Sequence, residues 1–314
     1  MYEQISANKW KSFFMVFIFI LFVLGVGYII GRVWGGWYYG IAIAGVIAIV
    51  MALVSYYQSD SVALRLSGAV PVQEGEYIPY RSAVEGLAIA AGIPTPKIYV
   101  IVSQSMNAFA TGRDPKHASV CATTGLLERM NEQELEGVVA HEISHVKNYD
   151  ILLMTITIVL VGTLILLSDI FLRTFWFGGD SDEGGDGEAT LILMVIGIVL
   201  AILAPIIGQL IKLAISRRRE YLADANGALL TRYPPGLASA LEELQKDEYQ
   251  LKTANKATAH LFIVQPLKTE KGQRGSRFNR MFDTHPPIED RIARLKQMAG
   301  DFVPVEAPQP QQQR

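Results

Sequence analysis

Two histidines stand four residues apart with a glutamate beside the first, in His141-Glu142-Ile143-Ser144-His145. On a helix, positions four apart share one face, so both imidazoles point the same way and can hold one metal ion. Glu142 is then placed to reach a water at that ion. This is the chemistry of metal-assisted hydrolysis: the metal polarises a carbonyl and acidifies water, and the carboxylate takes the proton. With these residue frequencies the pattern arises by chance on the order of 0.005 times in a chain of this length. The plain alternative is a helix with two surface histidines. There is one cysteine, Cys121, so no disulfide framework and no cysteine-based zinc site can be built. Cys121 sits in an apolar run and reads as a buried thiol.

Catalytic zinc takes three protein ligands and keeps one position for water. The third must come from elsewhere, and Arg219-Glu220-Tyr221-Leu222-Ala223-Asp224 offers two carboxylates four apart. The longer Glu220 suits a ligand. Asp224 suits the partner that holds the free ring nitrogen of one histidine and fixes its tautomer. Two other readings stay open: Asp224 as ligand, or both acids as solvated groups balancing Arg217, Arg218 and Arg219. Among the remaining histidines, His285 precedes Pro286-Pro287 and is a candidate for stabilising a developing oxyanion, or a structural histidine. Asn107 follows an expected strand and could bond a peptide laid along a sheet edge, or simply form a turn. His117 reads as a loop residue and His260 as structural.

The elements that position these groups are legible in outline. Asn131-Glu132-Gln133-Glu134 is a capping-box pattern, opening a helix from Glu132 to about Tyr149. No proline or glycine breaks its join to the apolar stretch that follows. Residues 61–68, 80–91, 235–245 and 287–298 read as further helices. Helix 80–91 stops at Gly92, with Pro94 and Pro96 beyond. Residues 97–102 and 118–123 are short β-branched runs, consistent with a small sheet.

The chain has 314 residues, half of them hydrophobic and 18% charged, with mean hydropathy +0.26. A soluble domain carries about 25% charged residues. The deficit falls in four apolar blocks, 13–30, 37–57, 151–172 and 189–211, each near the roughly 20 residues that cross a bilayer. Trp37-Tyr38-Tyr39 opens the second with headgroup-level aromatics. Lys9 and Lys11 precede the first block, and Lys212 with Arg217–Arg219 follows the fourth. The loop 174–188 is acidic and glycine-rich. This asymmetry places both ends on the cytoplasmic side. The hairpin 151–215 then returns Glu220 to the membrane face of His141 and His145. Net charge −2 and pI 6.2 give no argument for nucleic acid.

In this order, Asn107-Ala108-Phe109-Ala110-Thr111-Gly112, His141–His145, Arg219–Asp224 and Thr284-His285-Pro286-Pro287 resemble the HtpX-type membrane metalloproteases. These are relatives of the CAAX prenyl endopeptidases, among the zinc peptidases whose third ligand is glutamate. The resemblance extends from the first hairpin to Met298. It implies one zinc ion per chain held by His141, His145 and Glu220, with Asp224 behind them. It also implies Glu142 as catalytic base, and Asn107 and His285 lining the substrate cleft. The expected fold is a mainly α integral membrane protein with a small β-sheet, a gluzincin-like peptidase domain and about four transmembrane helices. The divisions are a transmembrane hairpin (1–57), a cytoplasmic peptidase segment (58–150), a second hairpin (151–215), a second peptidase segment (216–300) and a disordered tail (301–314). The implied function is an endopeptidase of the cell membrane with a cytoplasmic site, cutting membrane or misfolded polypeptides in protein quality control. Rival readings are an inactive scaffold or chaperone, a peptidase for a lipidated C-terminal motif, and a metal transporter. The transporter reading would want acidic groups or histidines inside several spans, whereas here they flank them.

Overall fold

The computed structural model describes residues 2–33, 35–177, 217–249, 251, 258, 261–264 and 286–301. It opens with two long helices, α1 (Tyr2–Val33) and α2 (Trp37–Tyr57), packed as a hairpin. Their contact is close because Gly27, Gly31 and Gly40 lie between them; a Cβ on Gly40 would meet the Gly27 carbonyl oxygen at 2.2 Å. Small residues that let backbones approach are the usual means of pairing helices in lipid. The outer faces carry exposed Phe13, Phe17, Leu21, Ile43, Ile47 and Val50. Exposed aromatics mark both ends of α2, Trp37 to Tyr39 and Tyr56-Tyr57. Among the described residues, two helical segments, Ile5–Ile29 and Trp37–Tyr57, are each long and apolar enough to cross a membrane.

The chain then builds layers of helix and sheet around the His-Glu segment. Helix α3 (Ser59–Leu66) leads to strand β1 (Val70–Pro71), helix α4 (Ile78–Ala91), strands β2 (Lys97–Ile101), β3 (Ala108–Gly112) and β4 (Ala118–Thr123), and the short helix α5 (Thr124–Arg129). The strands form one sheet in the order β1-β2-β4-β3. β2 and β4 are parallel, and the other two pairs are antiparallel. Alternation along the strands sends Ile98, Ala108, Ala110, Val120 and Ala122 into a core with α4 and the helix that follows α5. Ile101, Phe109 and Cys121 go to the opposite face, against Ala63, Met154 and Phe262. Both faces are covered, so β3 and β4 are buried at every position. The strand β3 is poor in β-branched residues and is absent from the sequence reading. Its layer neighbours hold it, rather than propensity.

Helix α6 (Glu132–Lys147) runs through the middle of the molecule, with α4 and the sheet on one side and α8 (Arg217–Thr231) and α9 (Pro234–Lys246) on the other. The expected capping box is present: Asn131 accepts from the Glu134 amide at 3.0 Å, and Glu134 accepts from the Asn131 amide at 3.0 Å. Glycines set the helix spacing. A Cβ on Gly137 would meet the Leu237 nitrogen at 2.6 Å, and one on Gly227 the His141 nitrogen at 3.0 Å.

One expectation is corrected. α6 does not continue to Tyr149 and into the apolar stretch. It stops at Lys147, and α7 (Asp150–Phe177) leaves at 81°. The turn is made by Tyr149 at φ 59°, a left-handed conformation without glycine. Lys9 covers its ring, 4.5 Å from the centroid. The break carries no glycine or proline, so local sequence gives no sign of it. Helix α7 contains the third expected span, and its residues 151–161 are buried; it packs on α1, α2, α3 and β3. It also continues through residues 174–177, where the sequence reading puts the start of a loop. The fourth expected span and the rest of the acidic loop lie outside the described residues, as does the tail beyond Asp301. Helix α10 (Ile288–Asp301) closes the core against α9.

Gly137→Ala should lower thermal stability, by about 1–3 kcal/mol, because backbone has to move. Gly86→Ala, in an exposed stretch of α4 with nothing within 4 Å of the added carbon, should be neutral or raise it by about 0.4–1 kcal/mol. Melting of the two variants in detergent checks the contrast; equal shifts would show that the α6–α9 contact is not tight.

Candidate metal centre

His141 and His145 lie one turn apart on α6, and both are buried. Their rings meet edge to face at 4.7 Å, with the two Nε2 atoms 3.2 Å apart. Glu220, from the first turn of α8, brings one carboxylate oxygen to 3.6 Å from His145 Nε2 and the other to 3.9 Å from His141 Nε2. One donor atom from each of the three residues lies within 4.8 Å of the others. Two imidazoles and a carboxylate form a donor set suited to zinc. Charge points the same way. Buried Glu142, Asp150, Glu220 and Asp224 share this site with the guanidinium groups of Arg219 and Arg291, leaving a negative excess that a divalent cation would offset.

The far ring nitrogens are both engaged. Asp224 Oδ1 is 2.9 Å from His141 Nδ1. His145 Nδ1 is 3.0 Å from Asp150 Oδ2. Each imidazole therefore donates from Nδ1 and turns Nε2 toward Glu220. Burial lowers the pKa of His141, Asp224 raises it and Arg291 lowers it again; the net effect is downward. Burial would also lower His145, but the bond to Asp150 and the charges of Glu220 and Glu142 raise it to about 9. Burial and the Glu220 carboxylate push Glu142 up to about 7, against His145, Arg291 and a hydrogen bond from the Ala110 amide. A carboxyl group poised near 7 can both take and release a proton at neutral pH.

Two contributors were missed in the sequence. Asp150 lies beyond the end of α6 and reaches His145 only because the chain turns by 81°. An acid at the mouth of an apolar stretch was the available signal. Arg291, on α10, is 1% exposed. Its Nε and Nη2 donate to the two oxygens of Asp224 at 2.8 and 2.7 Å, and Nη1 donates to the Ile263 carbonyl at 3.0 Å and lies 3.8 Å from Glu220. Burial would discharge Arg291, but Asp224 and Glu220 hold it charged. Burial would likewise raise Asp224, yet Arg291 and His141 keep it at about 2. Ile288, Arg291, Ile292 and Leu295 fall on one helical face, so the arginine stands in the apolar stripe of α10. That position was its signature.

The other candidates fall as follows. Asn107 is buried at the start of β3; its amide donates to the Val264 carbonyl at 2.9 Å, and its oxygen accepts from the Ala108 amide at 3.1 Å. It binds backbone, but here the backbone is this chain's own. His285 and His260 lie outside the described residues. His117 ends a short turn that Asp114 caps, and its ring Nδ1 lies 2.9 Å from the Asp114 carboxylate. Cys121 is buried, and burial followed by the nearby Glu142 charge holds it as a thiol.

A buried His-Glu-x-x-His helix, with an acid supplied from a second helix, defines a metallopeptidase site. The chain belongs to peptidase family M48, whose model matches residues 79–299. It is 45% identical to a protease HtpX homologue of Caldanaerobacter subterraneus, over 95% of this chain and 98% of that one. It is 46% identical to one of Dictyoglomus thermophilum, over 95% and 94%. The solved structure of Ste24p from S. mikatae is 20% identical, with TM-score 0.48, covering 94% of this chain and 67% of that chain.

With no metal bound, and against burial, Asp150, Glu220 and Glu142 hold the His145 pKa up at about 9, so a metal ion taken up at Nε2 would displace a proton. Affinity should therefore rise with pH toward 9, and binding at pH 7 should release protons. Calorimetry in two buffers of different ionisation enthalpy measures this; identical heats would contradict it. Arg291→Met should weaken metal binding about 10–100-fold, because Asp224 loses the group that aims it at His141. Chelator competition reads that change.

Proposed function

We propose that the chain is a membrane-anchored zinc endopeptidase of the HtpX type, with one zinc ion held by His141, His145 and Glu220. The observation that carries this is the convergence of those three donors with Glu142 beside them. Asp224 and Asp150 orient the two imidazoles, and Arg291 holds Asp224. Zinc, when bound, supplies Lewis acidity toward a carbonyl and toward water. Glu142 takes the proton of the attacking water and delivers it to the leaving amine. The environment that lifts its pKa to about 7 suits both transfers. β3 is the edge strand of the sheet and its Ala110 amide donates to Glu142, which puts the scissile part of a bound polypeptide beside that edge. His285 remains our candidate for the oxyanion, and Asn107 for the substrate end of β3. This makes the peptidase part gluzincin-like, split between residues 58–150 and 216–300.

Four spans and a cytoplasmic site complete the reading. The lysines Lys9 and Lys11 precede the apolar part of α1, and Arg217–Arg219 begins α8. Both basic ends flank the metal residues, which supports a site on the positive, cytoplasmic face. Membrane or misfolded polypeptides are the substrates this location and the HtpX-named relatives suggest. An inactive scaffold would have no reason to bury four carboxyl groups around two imidazoles.

Glu142→Gln should bind zinc like the wild type, keep its fold and lose nearly all casein hydrolysis in detergent. A variant that still cleaves at near wild-type rate rules out Glu142 as the base. Cysteines placed at Ser181 and Glu289 should label from opposite sides of the membrane; labelling from one side would sink the topology.

A further inference from the structure

Asn8 stands near the start of α1, yet it is 3% exposed and touches the metal centre's supporting shell. Its Nδ2 donates to Asp150 Oδ1 at 2.7 Å and to the Asn148 carbonyl at 3.0 Å. Both partners are acceptors, so the amide can face only one way. The other oxygen of Asp150 is the one bonded to His145 Nδ1. Arg219 Nη1 lies 3.9 Å from Oδ1, a weaker and longer contact. A residue of the turn itself also meets α1: the Lys9 ammonium lies over the Tyr149 ring, 4.5 Å from its centroid.

We propose that Asn8 is a positioning residue for the metal centre, fixing the Asp150 carboxylate so that it holds the His145 ring. A carboxylate can rotate about its last bond and offer either oxygen. With Oδ1 tied to Asn8, Oδ2 is left facing Nδ1, and the ring is locked with Nε2 toward Glu220. The first membrane helix is then part of the metal centre as well as its anchor. Its seating against α7 is felt at His145 through two hydrogen bonds. Asn8 also bonds the Asn148 carbonyl at the end of α6, and a capping role alone would make the effect of replacing Asn8 independent of what stands at position 150.

The inference rests on His145 being a metal ligand, which His145→Ala tests separately. The experiment uses the full chain in detergent, with zinc affinity by chelator competition and the absorption spectrum of the cobalt(II)-loaded protein. Asn8→Asp keeps the size but replaces the donor with an acceptor. It should lose about 10–100-fold in zinc affinity and shift the cobalt bands. The exchange Asn8→Asp with Asp150→Asn restores a donor and acceptor between the two positions and conserves their summed charge. The amide nitrogen introduced at position 150 then donates to the carboxylate introduced at position 8, while the amide oxygen accepts from His145. The double variant should bind zinc more tightly than the product of the two single losses allows. The lost Asn148 cap is not restored in it, so recovery separates positioning from capping. Should Asn8→Asp fail to fold, Asn8→Ala removes the donor without adding charge and should show the same loss. If His145→Ala binds zinc like the wild type, the ligand reading fails. If it does not, but Asn8→Asp binds like the wild type or the double variant shows only the product of the single losses, the positioning role of Asn8 is overturned.

Discussion

The burial of α6 is the constraint from which the rest of the molecule follows. A helix carrying two histidines and a glutamate toward one site has no water to satisfy them, so each polar atom needs a partner from another element. Asp224 arrives from α8, Arg291 from α10, Asp150 from the start of α7, and the Ala110 amide from β3. Three elements are thereby tied directly to one helix, and α10 is tied to it through Asp224, so their positions are set by its needs. Removing one member strands the others, since an unpaired buried charge costs about 3–5 kcal/mol.

The same pairing prepares the chemistry. Nδ1 of each imidazole is committed outward, which leaves Nε2 of both turned toward Glu220. Burial raises both carboxyl groups; the bonds from Arg291 and His141 bring Asp224 down to about 2, whereas Glu142, with the Glu220 charge beside it, stays up at about 7. Neighbouring carboxyl groups are thus pushed apart into distinct roles by their surroundings: Asp224 as a fixed anion, Glu142 as a group that exchanges protons.

The long apolar helices share in this arrangement. α7 begins at the acid that supports His145 and passes at once into a stretch buried against α1 and α2. The peptidase layers and the hairpin therefore meet at residues 148–150, where the chain turns by 81°. A left-handed Tyr149 is the local strain that permits the turn. Packing on both sides maintains it.

The metal-binding face and the helix start were legible because both are local. His141 and His145 are one turn apart, and Asn131 and Glu134 are three residues apart, so helical geometry alone relates them. The α1–α2 hairpin was legible from the lengths of its apolar blocks, and the pairing of Glu220 with Asp224 from their four-residue spacing. The parts decided by tertiary structure are those whose partners lie far along the chain. Strand β3 has weak propensity and exists because α6, α7 and β4 cover it. The break after Lys147 has no glycine or proline and is fixed by contacts of Tyr149 and Asp150. Asp150 and Asn8 are 142 residues apart, and Asp224 and Arg291 are 67 apart. No periodicity joins such pairs. Only packing brings a buried carboxylate to the donor that satisfies it, and that requirement is invisible until the interior is formed.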